Sequence, residues 1–144
     1  MEDYFALEPL LIAYLKTLCT EAEVIPLTDS TDLDQVAPRR VSVFTMFAGE
    51  VIDFRNGASQ LSPTVQVVTQ RWLTVVSVQS AARVLDGLQL RQKAGPTLAK
   101  LSGLQGVKLK GFGPLRRVTP PGPRYKDNFA HFPLLWEVEC DLAN

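Results

Sequence analysis

Residues 64–80 read Thr64-Val-Gln-Val-Val-Thr-Gln70-Arg-Trp72-Leu-Thr-Val-Val-Ser-Val78-Gln-Ser80. Val, Thr, Trp and Leu dominate, and neither Gly nor Pro interrupts. Side chains of this kind fit a pleated, half-buried surface, which makes this the strongest strand signal in the chain. Seventeen residues at about 3.3 Å each would be long for one flat strand, so a bend or bulge is expected near Thr69–Gln70. A second run, Phe132–Leu142, alternates cleanly. Phe132, Leu134, Trp136, Val138, Cys140 and Leu142 fall on one face, and Pro133, Leu135, Glu137, Glu139 and Asp141 on the other. That is the pattern of an antiparallel strand with one face covered. It places this strand at or beside the centre of a sheet, with Trp136 buried.

Working outward, residues 3–19 carry Leu7, Leu11, Leu15 and Leu18 at helical spacing after Asp3, a plausible N-cap. Pro9 requires that this helix either kink or begin near Glu8. Leu10–Leu15 is apolar nearly all round, which suits a helix covered by its own sheet on one side and by a partner on the other. Glu23–Pro26 reads as a short extended piece, Ser30–Ala37 as one or two helical turns, and Val41–Phe47 as a strand. Asn56-Gly57 marks a turn, with Val51–Phe54 as one arm of an excursion. Ala81–Leu104 is helical, interrupted at Gly95-Pro96, which gives two segments or one broken helix. In the Gly- and Pro-rich stretch from Val107 to Asn128 only Leu115–Val118 looks extended. The expected fold is α+β, a mainly antiparallel β-sheet with helices packed on one face and the N-terminal helix first. Residues 1–144 are read as a single domain with mobile loops near 49–63 and 105–128.

The chain has 144 residues, 15 Lys plus Arg, 15 Asp plus Glu, and no net charge. Zero net charge argues against wholesale binding to nucleic acid or membrane. Leu10–Leu15, the longest apolar run, is far short of the ~18 residues of a membrane span. The Met-Glu-Asp-Tyr start lacks the basic region of a signal peptide, and two lone cysteines, Cys19 and Cys140, suggest a reducing compartment. Zero net charge conceals an asymmetry, however. Residues 1–38 hold eight acids and one base, whereas residues 71–126 hold eleven bases and one acid. Such a protomer is suited to meet copies of itself head to tail, unless the segments interleave and the charges simply mix on the surface.

No catalytic set emerges. His131, the sole histidine, reads as a surface loop residue at the mouth of the last strand. Two cysteines and one histidine, widely separated, give no zinc spacing, so neither metal nor cofactor is expected. Gly106–Phe112 begins like a phosphate loop but puts Phe112 where Lys is required. Gly103-Leu-Gln-Gly106 is more simply a helix end than an RNA clamp. The basic set Lys108, Lys110, Arg116, Arg117, Arg124 and Lys126 stands out, with no acid among its nineteen residues. It could contact phosphate, as a nucleic-acid-binding module would, form the positive half of a protein contact, line a DNA channel, or be a solvated loop. Its candidate complement is Asp29, Asp32, Asp34, Glu137 and Glu139.

The order of segments carries a resemblance. It comprises the Glu8-Pro9-Leu10-Leu11 helix start, the turn into Val41–Phe47, Gln70-Arg-Trp72-Leu-Thr-Val-Val-Ser-Val78, Ala94-Gly95-Pro96-Thr-Leu98-Ala99, and a late Pro-rich loop with Tyr125 before an aromatic strand. This resembles the tail terminator family of Mu-like and related contractile-tailed phages. The resemblance implies a structural virion protein without enzymatic activity, assembling with itself as a hexameric ring at the head-proximal end of the tail tube. It implies the tube protein, sheath and head–tail connector proteins as partners, DNA passing without sequence recognition, no membrane, and assembly in the host cytoplasm.

Overall fold

A computed structural model describes residues 3–27, 41–52, 67–79, 87–126 and 129–141. Helix α1 (Leu7–Leu18) is followed by β1 (Glu23–Pro26), β2 (Ser42–Ile52), β3 (Val67–Gln79), α2 (Gly87–Leu101) with a 3-10 turn (Ser102–Leu104), β4 (Arg116–Val118), β5 (Arg124–Lys126) and β6 (Phe129–Asp141). Among the described residues the architecture is α+β, two helices and a six-stranded sheet, with the N-terminal helix first. The strand order is β1-β2-β3-β6-β4, and β5 also pairs with β6. Among the described strands β1 and β2 run parallel and the other pairings are antiparallel.

The long Val/Thr/Trp run forms the central strand because both of its neighbours are long enough to pair along it. β3 is in register with β6 from Val67↔Asp141 to Gln79↔Phe129 without a shift. The bulge expected near Thr69–Gln70 lies instead on β2, where the register with β3 shifts between Phe47 and Gly49. Gly49 has φ +113°, a conformation that is costly for residues with a Cβ. β2 then continues to Ile52, so Val51 and Ile52 extend that strand rather than begin a separate arm.

The buried faces follow the sequence periods. Leu7, Leu11 and Leu15 of α1, and Leu90, Ala94, Thr97 and Leu101 of α2, are buried. They pack with Trp72, Val76 and Val78 of β3 and with Ala130, Leu134, Trp136, Val138 and Cys140 of β6. α1 starts at Leu7, so Pro9 falls in its first turn, where few backbone donors have a helical partner in any case. α2 runs unbroken through Pro96. Pro96 lies on the exposed side, where water can satisfy the carbonyl that loses its helical donor. The Ser30–Ala37 turn and Asn56-Gly57 lie outside the described residues.

Trp72 and Trp136 stand opposite each other across β3 and β6, both fully buried. Trp72 Nε1 donates to Gln70 Oε1 (3.1 Å) and Trp136 Nε1 donates to Thr74 Oγ1 (3.0 Å). Gln70 Nε2 in turn donates to the Tyr4 carbonyl (2.7 Å) and ties down the entry to α1. Phe5 and Phe47 close edge-on around Trp72. On the opposite face of the sheet His131 is buried in β6, where Ser77 Oγ and His131 Nδ1 share a 2.6 Å hydrogen bond. This corrects the expectation of a surface histidine. β6 begins at Phe129, so residue 131 already lies in the ladder directly across from Ser77.

Two predictions follow from this packing. Trp136→Ala should lower the unfolding free energy by about 3–5 kcal/mol in urea titration, as aromatic truncations in cores do; a loss under ~1 kcal/mol would mean that the tryptophan pair does not organise the core. Cys19 and Cys140 are free and buried. Burial raises both thiol pKa values, that of Cys140 to about 11. Native protein at neutral pH should therefore react slowly with a thiol reagent, and two groups should titrate after denaturation without reductant.

Candidate assembly surface

The basic segment follows directly from α2 and the 3-10 turn. Gly106 N donates to the Leu115 carbonyl (2.8 Å) and Leu115 N to that of Val107 (2.9 Å), which closes a small hairpin. Its turn uses Gly111 at φ +90°. Leu109, Phe112 and Leu115 are buried in the main core, and the alternate residues Lys108 and Lys110 are exposed. Gly113 N donates to the Glu139 carbonyl (3.1 Å) and fastens the hairpin to the end of β6. The basic residues are thus outward positions of an element anchored by its apolar ones.

Arg116 and Arg117 are adjacent in β4, and adjacent strand residues point to opposite faces. Arg116 sits opposite Glu137 and donates to it through Nη2 (3.0 Å), while Arg71 Nε donates to the same carboxylate (3.3 Å). The Glu137 side chain is 12% exposed, whereas Arg71 and Arg116 are far more open. Arg117 turns towards α2. Its Nη1 donates to Ser102 Oγ (3.3 Å), and its backbone N donates to Gln105 Oε1 (2.7 Å). The two arginines, side by side in sequence, therefore serve different surfaces. Arg124 is exposed in β5, and of Lys126 only the backbone is described.

Of the acidic complement, Glu137 is engaged within its own chain and Glu139 is exposed near the hairpin. Asp29, Asp32 and Asp34 lie outside the described residues. A further contact joins α2 to the turn that follows α1. Lys100 Nζ donates to Glu21 Oε2 (2.7 Å) and Thr97 Oγ1 donates to Oε1 (3.0 Å), and the Lys100 bond is the main cause of the lowered Glu21 pKa.

Sequence reading missed a groove between β4 and β5. Val118 pairs with Leu135 and Arg124 with His131, so five residues of this segment pass beside three of β6. Those five are Thr119-Pro120-Pro121-Gly122-Pro123. Three prolines lack the N–H that a ladder requires, so the segment loops off and leaves the outer edge of β6, away from β3, without a strand neighbour there. The space left is a groove of about 280 Å³, walled by Pro120, Pro121, Pro123, Phe132 and Leu134, with Leu98 and Ala99 of α2 behind. Ser102 and Arg117 are its polar lining. The Pro-Pro-Gly-Pro string was the available signal.

Among the described residues no group of three His, Cys, Asp or Glu is placed to hold a metal ion, and no helix is long and apolar enough to cross a membrane. What stands out is surface: a sheet with two unlike edges, one bearing α1 and the other bearing arginines around an apolar groove. That is the equipment of a component that packs against other proteins. A family model for phage tail terminator proteins matches residues 1–144, the whole chain. The chain belongs to that family, whose members are structural phage tail proteins and are not known as enzymes. No curated protein matches the chain.

Glu137→Gln should weaken both arginine contacts and destabilise the fold by about 1–2 kcal/mol, since charge-assisted bonds to a largely buried acceptor exceed exposed pairs. Urea denaturation checks this, and Arg116→Gln alone should cost less because Arg71 remains.

Proposed function

We propose that this chain forms a six-membered ring on the head-proximal end of the tail tube, halts tube growth there and presents the surface to which the head is joined. The observation that carries the proposal is the tail terminator match over the whole chain. A closed ring needs two unlike, complementary surfaces on each protomer, and the different chemistry of the two sheet edges supports that requirement. The neighbours in this reading are further copies of the chain, the tube protein, and sheath and connector proteins. Assembly takes place in the host cytoplasm.

DNA passes through the ring as a polyanion, and the exposed Lys108 and Lys110 contribute positive charge without reading bases. The competing reading, a nucleic-acid module built on residues 108–126, is weakened by the placement of its basic groups. Arg116 is tied to Glu137, and Arg117 points to the other face, so the bases do not form one continuous stripe for a backbone to follow.

The test is addition of the purified protein to polymerising tail tubes. Elongation should stop, and electron micrographs should show one ring-shaped cap at a single end. Unchanged tube lengths, together with tight and steeply salt-dependent DNA binding by the free chain, would overturn the proposal in favour of the nucleic-acid module.

A further inference from the structure

The solvent face of α1 is unusually apolar for a surface helix. Leu10 is 37% exposed and Phe5, in the turn leading into α1, is 45% exposed; Pro9 and Ala13 are exposed as well. With spacings of 4, 5 and 8 from Phe5, these residues form one stripe. The charged residues of α1 are Glu8, beside the stripe in the first turn, and Lys16 in the last. Glu8 has no basic partner within ion-pair distance among the described residues.

At the opposite edge of the sheet lies the proline-walled groove, with inverse charge. Arg117 stands on its wall, its guanidinium held by Ser102, and has no carboxylate partner among the described residues. One edge therefore offers apolar knobs next to an uncompensated acid, and the other an apolar slot next to an uncompensated base. The slot is already shaped, because prolines hold its wall and little conformational entropy remains to be lost on docking. A lining with so few convergent polar groups is a poor fit for a small polar ligand.

Resting on the ring reading above, we infer that the Phe5–Ala13 stripe of each subunit docks in the groove of the next copy, with Glu8 facing Arg117. Pairing of the exposed surfaces favours this over the symmetric alternative. Two antiparallel α1 stripes would set the first turn of one copy against the last turn and Lys16 of the other, leaving the preformed groove and Arg117 unused, whereas stripe in groove covers both apolar surfaces and pairs Glu8 with Arg117. Because stripe and groove are on opposite edges, each contact leaves both surfaces open for a further copy, as a closing ring requires.

The test uses Glu8→Cys and Arg117→Cys variants, purified separately and assembled on tail tubes singly or mixed, then oxidised. Cys19 and Cys140 are buried and add no background. The mixture should give disulfide dimers, and neither variant alone should. The double variant should give a ladder ending at the complete ring. Leu10→Glu should weaken assembly at least tenfold while the melting temperature stays near that of wild type. Glu8→Arg combined with Arg117→Glu should assemble better than either single reversal. If the wild type forms rings but the mixture does not cross-link and Leu10→Glu assembles normally, this contact is refuted and the ring reading stands. Cross-linking by Glu8→Cys alone would establish the α1–α1 arrangement and also refute it. If the wild type forms no ring on tubes, both readings fall.

Discussion

The structure depends on two indoles facing each other across β3 and β6. Burying Trp72 and Trp136 gains a large apolar area, but each ring brings an N–H that would cost about 1–3 kcal/mol if left without an acceptor. The alternation of β3 resolves this. Gln70 and Thr74 flank Trp72 on the same face, and one accepts from each indole. The second function of the Gln70 amide, donating to the Tyr4 carbonyl, fixes where the chain enters α1. The helical layer is thus registered to the sheet by polar atoms buried beneath it, while the leucine stripe of α1 supplies the bulk of the contact.

Once β3 and β6 are locked, the asymmetry of the sheet follows from the sequences at its margins. At one side a short parallel strand, Glu23–Pro26, ends in proline and lies against α1. At the other, the outer side of β6 is longer than either short strand that pairs with it there. Prolines divide its partner into β4 and β5 and leave the groove between them. A sheet with identical edges would invite symmetric pairing or open-ended addition. Unlike edges, one acidic and knobbed, the other basic and slotted, suit a directional contact between copies.

Much of the fold was legible because the decisive strands are long and strongly patterned. The α+β class, the helices on one face, the flanking position of β6 and the burial of Trp136 were all readable from period and composition. What failed did so for local reasons. His131 was misplaced because its neighbours Ala130 and Phe129 did not signal that β6 starts two residues earlier. Pro96 suggested a break that an exposed backbone carbonyl makes unnecessary. The bulge belongs to β2, and the sequence of β3 holds no sign of it. Arg116 and Arg117 looked like one basic cluster in a stretch read for charge, and only the strand period separates them. The groove was the least legible feature, because it results from what the prolines prevent and not from residues that attract one another.

A directional contact between unlike edges of neighbouring copies, repeated around a ring, would be visible in an electron cryomicroscopy map of a capped tube end at side-chain resolution. Six equivalent subunits are expected, with Leu10 of each seated among Pro120, Pro121 and Pro123 of the next. A ring in which the outer face of α1 is open to solvent, or in which subunits pair symmetrically through α1, would contradict it.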